Sequence, residues 1–170
     1  MKKLFLVALL FGFSPMFAQD DNVDLTPDNS WLKVGLTAGI PVGDASDVSD
    51  FTVGADIRGQ YLFNPNVAIG FASGYTHYFA NDDFEDFGVI PAAAFFRYYF
   101  TPDGLFFGAD VGYGFLANID NNDGGLYLNP QVGYHNRDWN FYAYYQNTFA
   151  ENDLNLSNVG VGVTYNIRFN

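Results

Sequence analysis

Cysteine is absent from the 170 residues. The chain therefore cannot rest on disulfides and cannot hold a metal through thiolates. Charge is scarce as well. Asp, Glu, Lys and Arg make up 15% of the chain, where a soluble domain carries about 25%. A surface so poor in charge needs a cover other than water over part of its area. Basic residues are the scarcest, 7 against 19 acidic ones. That imbalance excludes nucleic acid as a partner, because phosphate backbones are held by clusters of Lys and Arg. No apolar run after Phe17 approaches the ~20 residues of a membrane-spanning helix. Only helices and closed barrels satisfy their backbone inside lipid, so a membrane reading has to be a barrel reading. Gly-rich phosphate loops, Gly-x-Ser-x-Gly and metal-ligand clusters are also missing. No cofactor is expected.

What is abundant is aromatic. Phe, Tyr and Trp reach 19% of the residues. The first eighteen residues stand apart: Lys2 and Lys3 precede the apolar stretch Leu4 to Phe13, and Ser14-Pro15-Met16-Phe17-Ala18 ends on a small residue. This order of basic, apolar and small segments predicts a secretory signal peptide over 1–18, cut after Ala18. Without Lys2 and Lys3 the basic residues fall to 5 against 19 acidic ones, a formal charge of −14. Residues 19–30 (QDDNVDLTPDNS) are polar, acidic and aperiodic, and read as an unstructured lead.

From Trp31 the chain alternates with period two in eight segments. They are Trp31–Pro41, Phe51–Phe63, Val67–Phe79, Gly88–Phe100, Leu105–Leu116, Leu126–His135, Trp139–Phe149 and Val159–Phe169. The last shows the pattern most plainly. Val159, Val161, Val163, Tyr165, Ile167 and Phe169 oppose Gly160, Gly162, Thr164, Asn166 and Arg168. In the fourth segment the faces follow from Arg97, which sets Ile90, Ala92, Ala94, Phe96, Tyr98 and Phe100 on the apolar side. Ordinary strands average about 5 or 6 residues, whereas a tilted strand crossing a membrane needs about 9–11. These segments have the longer length.

Tight turns, Asn64-Pro65-Asn66, Thr101-Pro102-Asp103-Gly104 and Asn136-Arg137-Asp138, alternate with longer links at 42–50, 80–87, 117–125 and 150–158. Short turns on one side and long loops on the other are the pattern of an outer-membrane barrel. The less apolar face is Gly, Ala, Thr, Asn and Gln rather than the Lys and Glu of a water-facing surface. Small residues suit the crowded inside of an eight-stranded barrel, and the apolar face suits lipid. Aromatics gather at the strand ends: Tyr61, Phe63, Tyr98, Phe100, Trp139 and Phe169 by the turns, and Phe51, Tyr75, Phe79 and Phe149 by the loops. Two interfacial girdles account for those positions. The predicted fold is all-β, an antiparallel eight-stranded up-and-down transmembrane β-barrel over residues 31–170, with both termini periplasmic.

These features resemble the small outer-membrane β-barrel proteins of the OmpA-transmembrane-domain and OmpX type. The resemblance extends to the ending Gly162-Val163-Thr164-Tyr165-Asn166-Ile167-Arg168-Phe169, which looks like the signal read by the barrel-assembly machinery. Gly162, Tyr165, Ile167 and Phe169 would carry it, although the chain finishes on Asn170 rather than on the aromatic. The resemblance implies insertion by that machinery. Outer-membrane lipid and, through divalent ions on acidic loops, lipopolysaccharide are the expected surroundings, and a monomer is expected. It implies no single shared activity, since relatives serve structural, adhesive or host-interaction roles.

The lumen-facing parity carries Lys33, Asp56, Arg58, Arg97, Asp110 and Arg168. Buried charges need partners, which predicts a charge network plugging the interior. A narrow polar path for small solutes is the alternative. The links carry eleven acids (Asp44, Asp47, Asp50, Asp82, Asp83, Glu85, Asp86, Asp120, Asp123, Glu151 and Asp153) and no Lys or Arg. They read as a solvated acidic rim, since Asp120 to Gly125 lacks the spaced ligands of a calcium loop. Of the two histidines, His77 lies by the loops, four residues after Ser73, and His135 lies at the opposite end. They cannot share a site, and no enzyme is expected.

Overall fold

The computed structural model describes residues 30–81, 84–119, 122–150 and 154–168. The signal peptide, the lead up to Asn29, Phe169 and the acids Asp82, Asp83, Asp120, Glu151 and Asp153 lie outside them. Eight strands follow in chain order: β1 Ser30–Val42, β2 Ser49–Asn64, β3 Val67–Ala80, β4 Phe87–Tyr99, β5 Gly104–Ala117, β6 Gly124–His135, β7 Trp139–Ala150 and β8 Asn155–Arg168. Each pairs antiparallel with the next. β1 also pairs with β8, closing the barrel. Val34, for example, stands beside Ile57 on one side and Tyr165 on the other. Closure removes the unpaired edges that an open sheet would expose.

The two faces separate as the alternation predicts. Phe71 is 73% exposed, Leu36 66% and Val161 64%, while Lys33, Arg58 and Arg97 are at most 2% exposed. The fourth strand follows Arg97, with Ile90, Phe96 and Tyr98 outward. The wall is thus apolar outside and polar at its centre, the inverse of a water-soluble barrel.

The interior departs from the sequence expectation in one respect: it holds large rings besides small and amide residues. Glycines on neighbouring strands make the space. Phe95 lies across Gly70, its paired residue on β3, and a Cβ there would stand 2.8 Å from the ring. Tyr144 lies over Gly39 and Gly160 from β7, and Tyr142 lies over Gly162. A ring packed over a glycine occupies space that a side chain there would otherwise fill.

Toward the loops, Tyr78, Phe87, Val89, Ala93, Tyr127 and Leu156 form an apolar cluster, joined by Ala45. Ala45 sits in a short 3-10 helix, Gly43–Asp47, that follows β1. That link is therefore a folded cap and not a purely solvated loop. Leu156 belongs to β8, which begins at Asn155, four residues before the alternation becomes legible at Val159. Ser157 explains the gap. It breaks the apolar outer row, and the Tyr145 hydroxyl reaches it at 3.3 Å.

Candidate functional site

In-facing positions from seven strands meet in the turn-side half of the lumen. Arg58 on β2 is the hub. Its Nη1 donates to both carboxylate oxygens of Asp110 on β5, at 2.8 and 2.7 Å, and its Nη2 donates to Asp56 at 2.9 Å. The Tyr142 hydroxyl also donates to Asp56. Asn129 and Gln131 on β6 donate to Asp110 Oδ2 at 3.0 and 2.8 Å. These donors replace part of the water that the buried Asp110 carboxylate gives up.

Gln131 carries the chain onward, its carbonyl accepting from Arg97 Nη2 at 3.2 Å. Asn140 Oδ1 accepts from both Arg97 Nη1, at 3.1 Å, and Lys33 Nζ, at 3.0 Å. Lys33 donates in turn to Asn166 Oδ1 at 2.8 Å. The Arg97 guanidinium also stacks over Phe106 at 4.2 Å, a cation–π contact that partly replaces water.

Lys33, Asp56, Arg58, Arg97 and Asp110 are thereby brought into one hydrogen-bonded chain. Its ion pairs, among the described residues, are those of Arg58 with Asp56 and Asp110. Lys33 and Arg97 are held by neutral amides instead. Arg168 is not part of it. Arg168 lies at the turn-side mouth, its Nη2 bonded to the Arg137 carbonyl at 3.1 Å and its guanidinium 4.7 Å over the Trp31 ring. Charge alone could not point to Asn129, Gln131, Asn140, Tyr142 and Asn166. Their shared inward parity in the sequence is the signal that could have.

Of the four assembly-signal positions, Gly162 faces the lumen beneath Tyr142, while Tyr165 and Ile167 face outward. Phe169 is outside the described residues.

At the loop rim, His77 Nε2 lies 3.0 Å from Asp86 Oδ2, and Nδ1 lies 3.2 Å from the Tyr75 hydroxyl. Both ring nitrogens are engaged, neither by Ser73. Asp86 Oδ1 also accepts from the Ala80 amide at 2.9 Å. That backbone bond, aided by His77, holds the Asp86 carboxyl below the usual carboxylate range. His135 is bonded to the Thr101 carbonyl at 3.1 Å, at the far end of the barrel. Among the described residues no cluster of three or more His, Asp or Glu could hold a metal ion.

Several solved structures share this architecture. Ail, the attachment invasion locus protein of Yersinia pestis, superposes with a TM-score of 0.59 at 14% identity, over 82% of this chain and 98% of that one. Neisserial surface protein A gives 0.52 at 16% identity, over 82% and 97%. The N-terminal β-barrel domain of Pseudomonas aeruginosa OprF gives 0.51 at 18% identity, over 82% and 98%. The chain therefore has the fold of the small eight-stranded outer-membrane β-barrels, as its resemblance to the OmpA and OmpX type implied. No protein-family model and no curated sequence matches it. Ail has also been solved in complex with the heparin analogue sucrose octasulfate.

Proposed function

We propose that this protein is a non-catalytic component of the outer membrane, a side-chain-filled barrel with a structural or surface-interaction role. The observation that carries this reading is the stacking of buried side chains along the whole lumen. An apolar cluster under the loops is followed by the Arg58-centred polar chain, and then by Tyr99 and Phe106 at the turn end. An eight-stranded barrel is just wide enough for its own side chains, and here they include rings and arginines.

The export segment, insertion by the barrel-assembly machinery through the last strand, a monomeric state and periplasmic termini belong to the same reading. The outward apolar belt meets lipid, and divalent cations bridge the acidic rim to the anionic lipopolysaccharide. Sucrose octasulfate, bound by Ail, is a polyanion. The present rim has acids and no Lys or Arg in its links, so charge favours cationic ligands here and repels polyanions. His77 is bonded to Asp86 and Tyr75 and not to Ser73, so no Ser–His pair supports an enzyme reading.

Planar-bilayer conductance tests the filled interior. The folded barrel should give no steady open-channel current. Reproducible single-channel steps would favour the small-solute channel instead.

A further inference from the structure

Every Lys and Arg of the described residues lies in one half of the barrel. Lys33, Arg58 and Arg97 are inside its turn-side half, Arg137 is in the turn joining β6 and β7, and Arg168 is at the end of β8. Arg137 and Arg168 converge on one small cavity of about 360 Å³, lined also by Asp138, Tyr165, Asn166 and Ile167. Such a volume lies at the small end of sites for organic ligands.

The cavity is built rather than incidental. The turn is tied to β8 through its carbonyls. Arg137 O accepts from Asn166 Nδ2 at 2.9 Å and from Arg168 Nη2 at 3.1 Å, and Asp138 O accepts from the Asn166 amide at 2.8 Å. Trp31 supports the Arg168 guanidinium from below at 4.7 Å. Among the described residues neither arginine forms an ion pair, and the Arg168 Nε is buried without a partner. Against two guanidiniums the lining offers one carboxylate, Asp138. The outward wall beside them is apolar and interfacial: Tyr165 and Ile167 are exposed, and Trp139 packs on Tyr165 with ring centres 5.0 Å apart.

We propose that this cavity binds the headgroup phosphate of an anionic phospholipid in the periplasmic leaflet. The proposal rests on the membrane reading above. Arginine forks match phosphate oxygens. Tyr165, Ile167 and Trp139 lie where the first acyl carbons of such a lipid would run, at the level of an aromatic belt. A zwitterionic lipid carries its own ammonium and gains less from two guanidiniums.

The protein's two tryptophans, Trp31 and Trp139, flank the cavity and report on it. The chain 19–170 is folded into phosphatidylcholine nanodiscs in which one lipid in about ten is dibrominated, either phosphatidylglycerol or phosphatidylcholine. Brominated phosphatidylglycerol should quench tryptophan emission more strongly, reflecting on the order of fivefold enrichment per unopposed charge. Arg137→Gln, whose side chain has no described partner, should lose most of that difference, and Arg137→Gln with Arg168→Gln all of it.

Equal quenching by the two lipids in the unmodified chain would overturn the proposal. So would a difference that survives both substitutions. Replacing Asp20, Asp21, Asp24 and Asp28 by Asn checks the chain's own acidic lead. A lipid preference that appears only in that variant would show the lead, not lipid, in the cavity. Gel mobility with and without boiling accompanies each sample. A missing heat-dependent shift in the unmodified chain would overturn the membrane reading and this proposal together, whereas a normal shift with equal quenching would overturn this proposal alone.

Discussion

Arg58 shows what single residues do in this barrel. It is 2% exposed and bonded to two carboxylates. Removing one partner of a buried ion pair costs about 3–5 kcal/mol, because the other charge stays in a poorly solvating place. Arg58→Ala leaves both Asp110 and Asp56 without their cation, so the loss should reach that range. Urea titration of the refolded protein in lipid measures it. Arg58→Ala combined with Asp110→Ala should recover part of the loss, and a double variant weaker by the full sum would contradict direct pairing. The charged members were legible beforehand: period-two parity places Lys33, Asp56, Arg58 and Asp110 inward, and in the fourth strand Arg97 itself set the faces. Their pairing was not. Parity gives a face but no register, so it could not show that Lys33 and Arg97 share the Asn140 amide instead of a carboxylate.

Strands and links carry the next level. Val111, midway along β5, is 50% exposed on the outer face, while its neighbour Asp110 is inside. An arginine at the lipid-facing midplane costs about 2–4 kcal/mol. Val111→Arg should therefore lower the urea midpoint in lipid by that free energy, whereas in a water-facing wall it would be neutral. The link between β3 and β4 responds to pH. Asp86 titrates below its ordinary range when folded, so its anchoring of the Ala80 amide is complete above the unfolded carboxylate range. It is lost as pH falls through the lowered value. Hydrogen exchange at Ala80, corrected for intrinsic rates, should show protection at neutral pH that disappears in acid, and Asp86→Asn should reduce it at every pH. Protection that rises on acidification would contradict this sign. Strand identity was readable in the sequence because both faces are chemically distinct over most of each segment. The exceptions have local causes. Ala45 sits in an aperiodic link whose burial depends on a tertiary cap, and residues 155–158 (NLSN) lack an apolar outer row although they pair with β1 and β7.

At the scale of the whole molecule, charge is graded along the barrel axis. Acids crowd the loop rim, and the cations of the described residues occupy the turn-side half. Between them the outer wall is a belt of Val, Leu, Ile, Phe and Tyr. The fold places that belt where lipid would cover it, which explains how a chain with 15% charged residues remains viable. The central claim is that lipid, not water, is the solvent of this wall. The direct test is to fold residues 19–170 in detergent and compare gel mobility with and without boiling. The account predicts a cold-resistant form that migrates differently from the boiled one, and no folded monomer in plain buffer. A chain that stays folded and monomeric in buffer without detergent would contradict it.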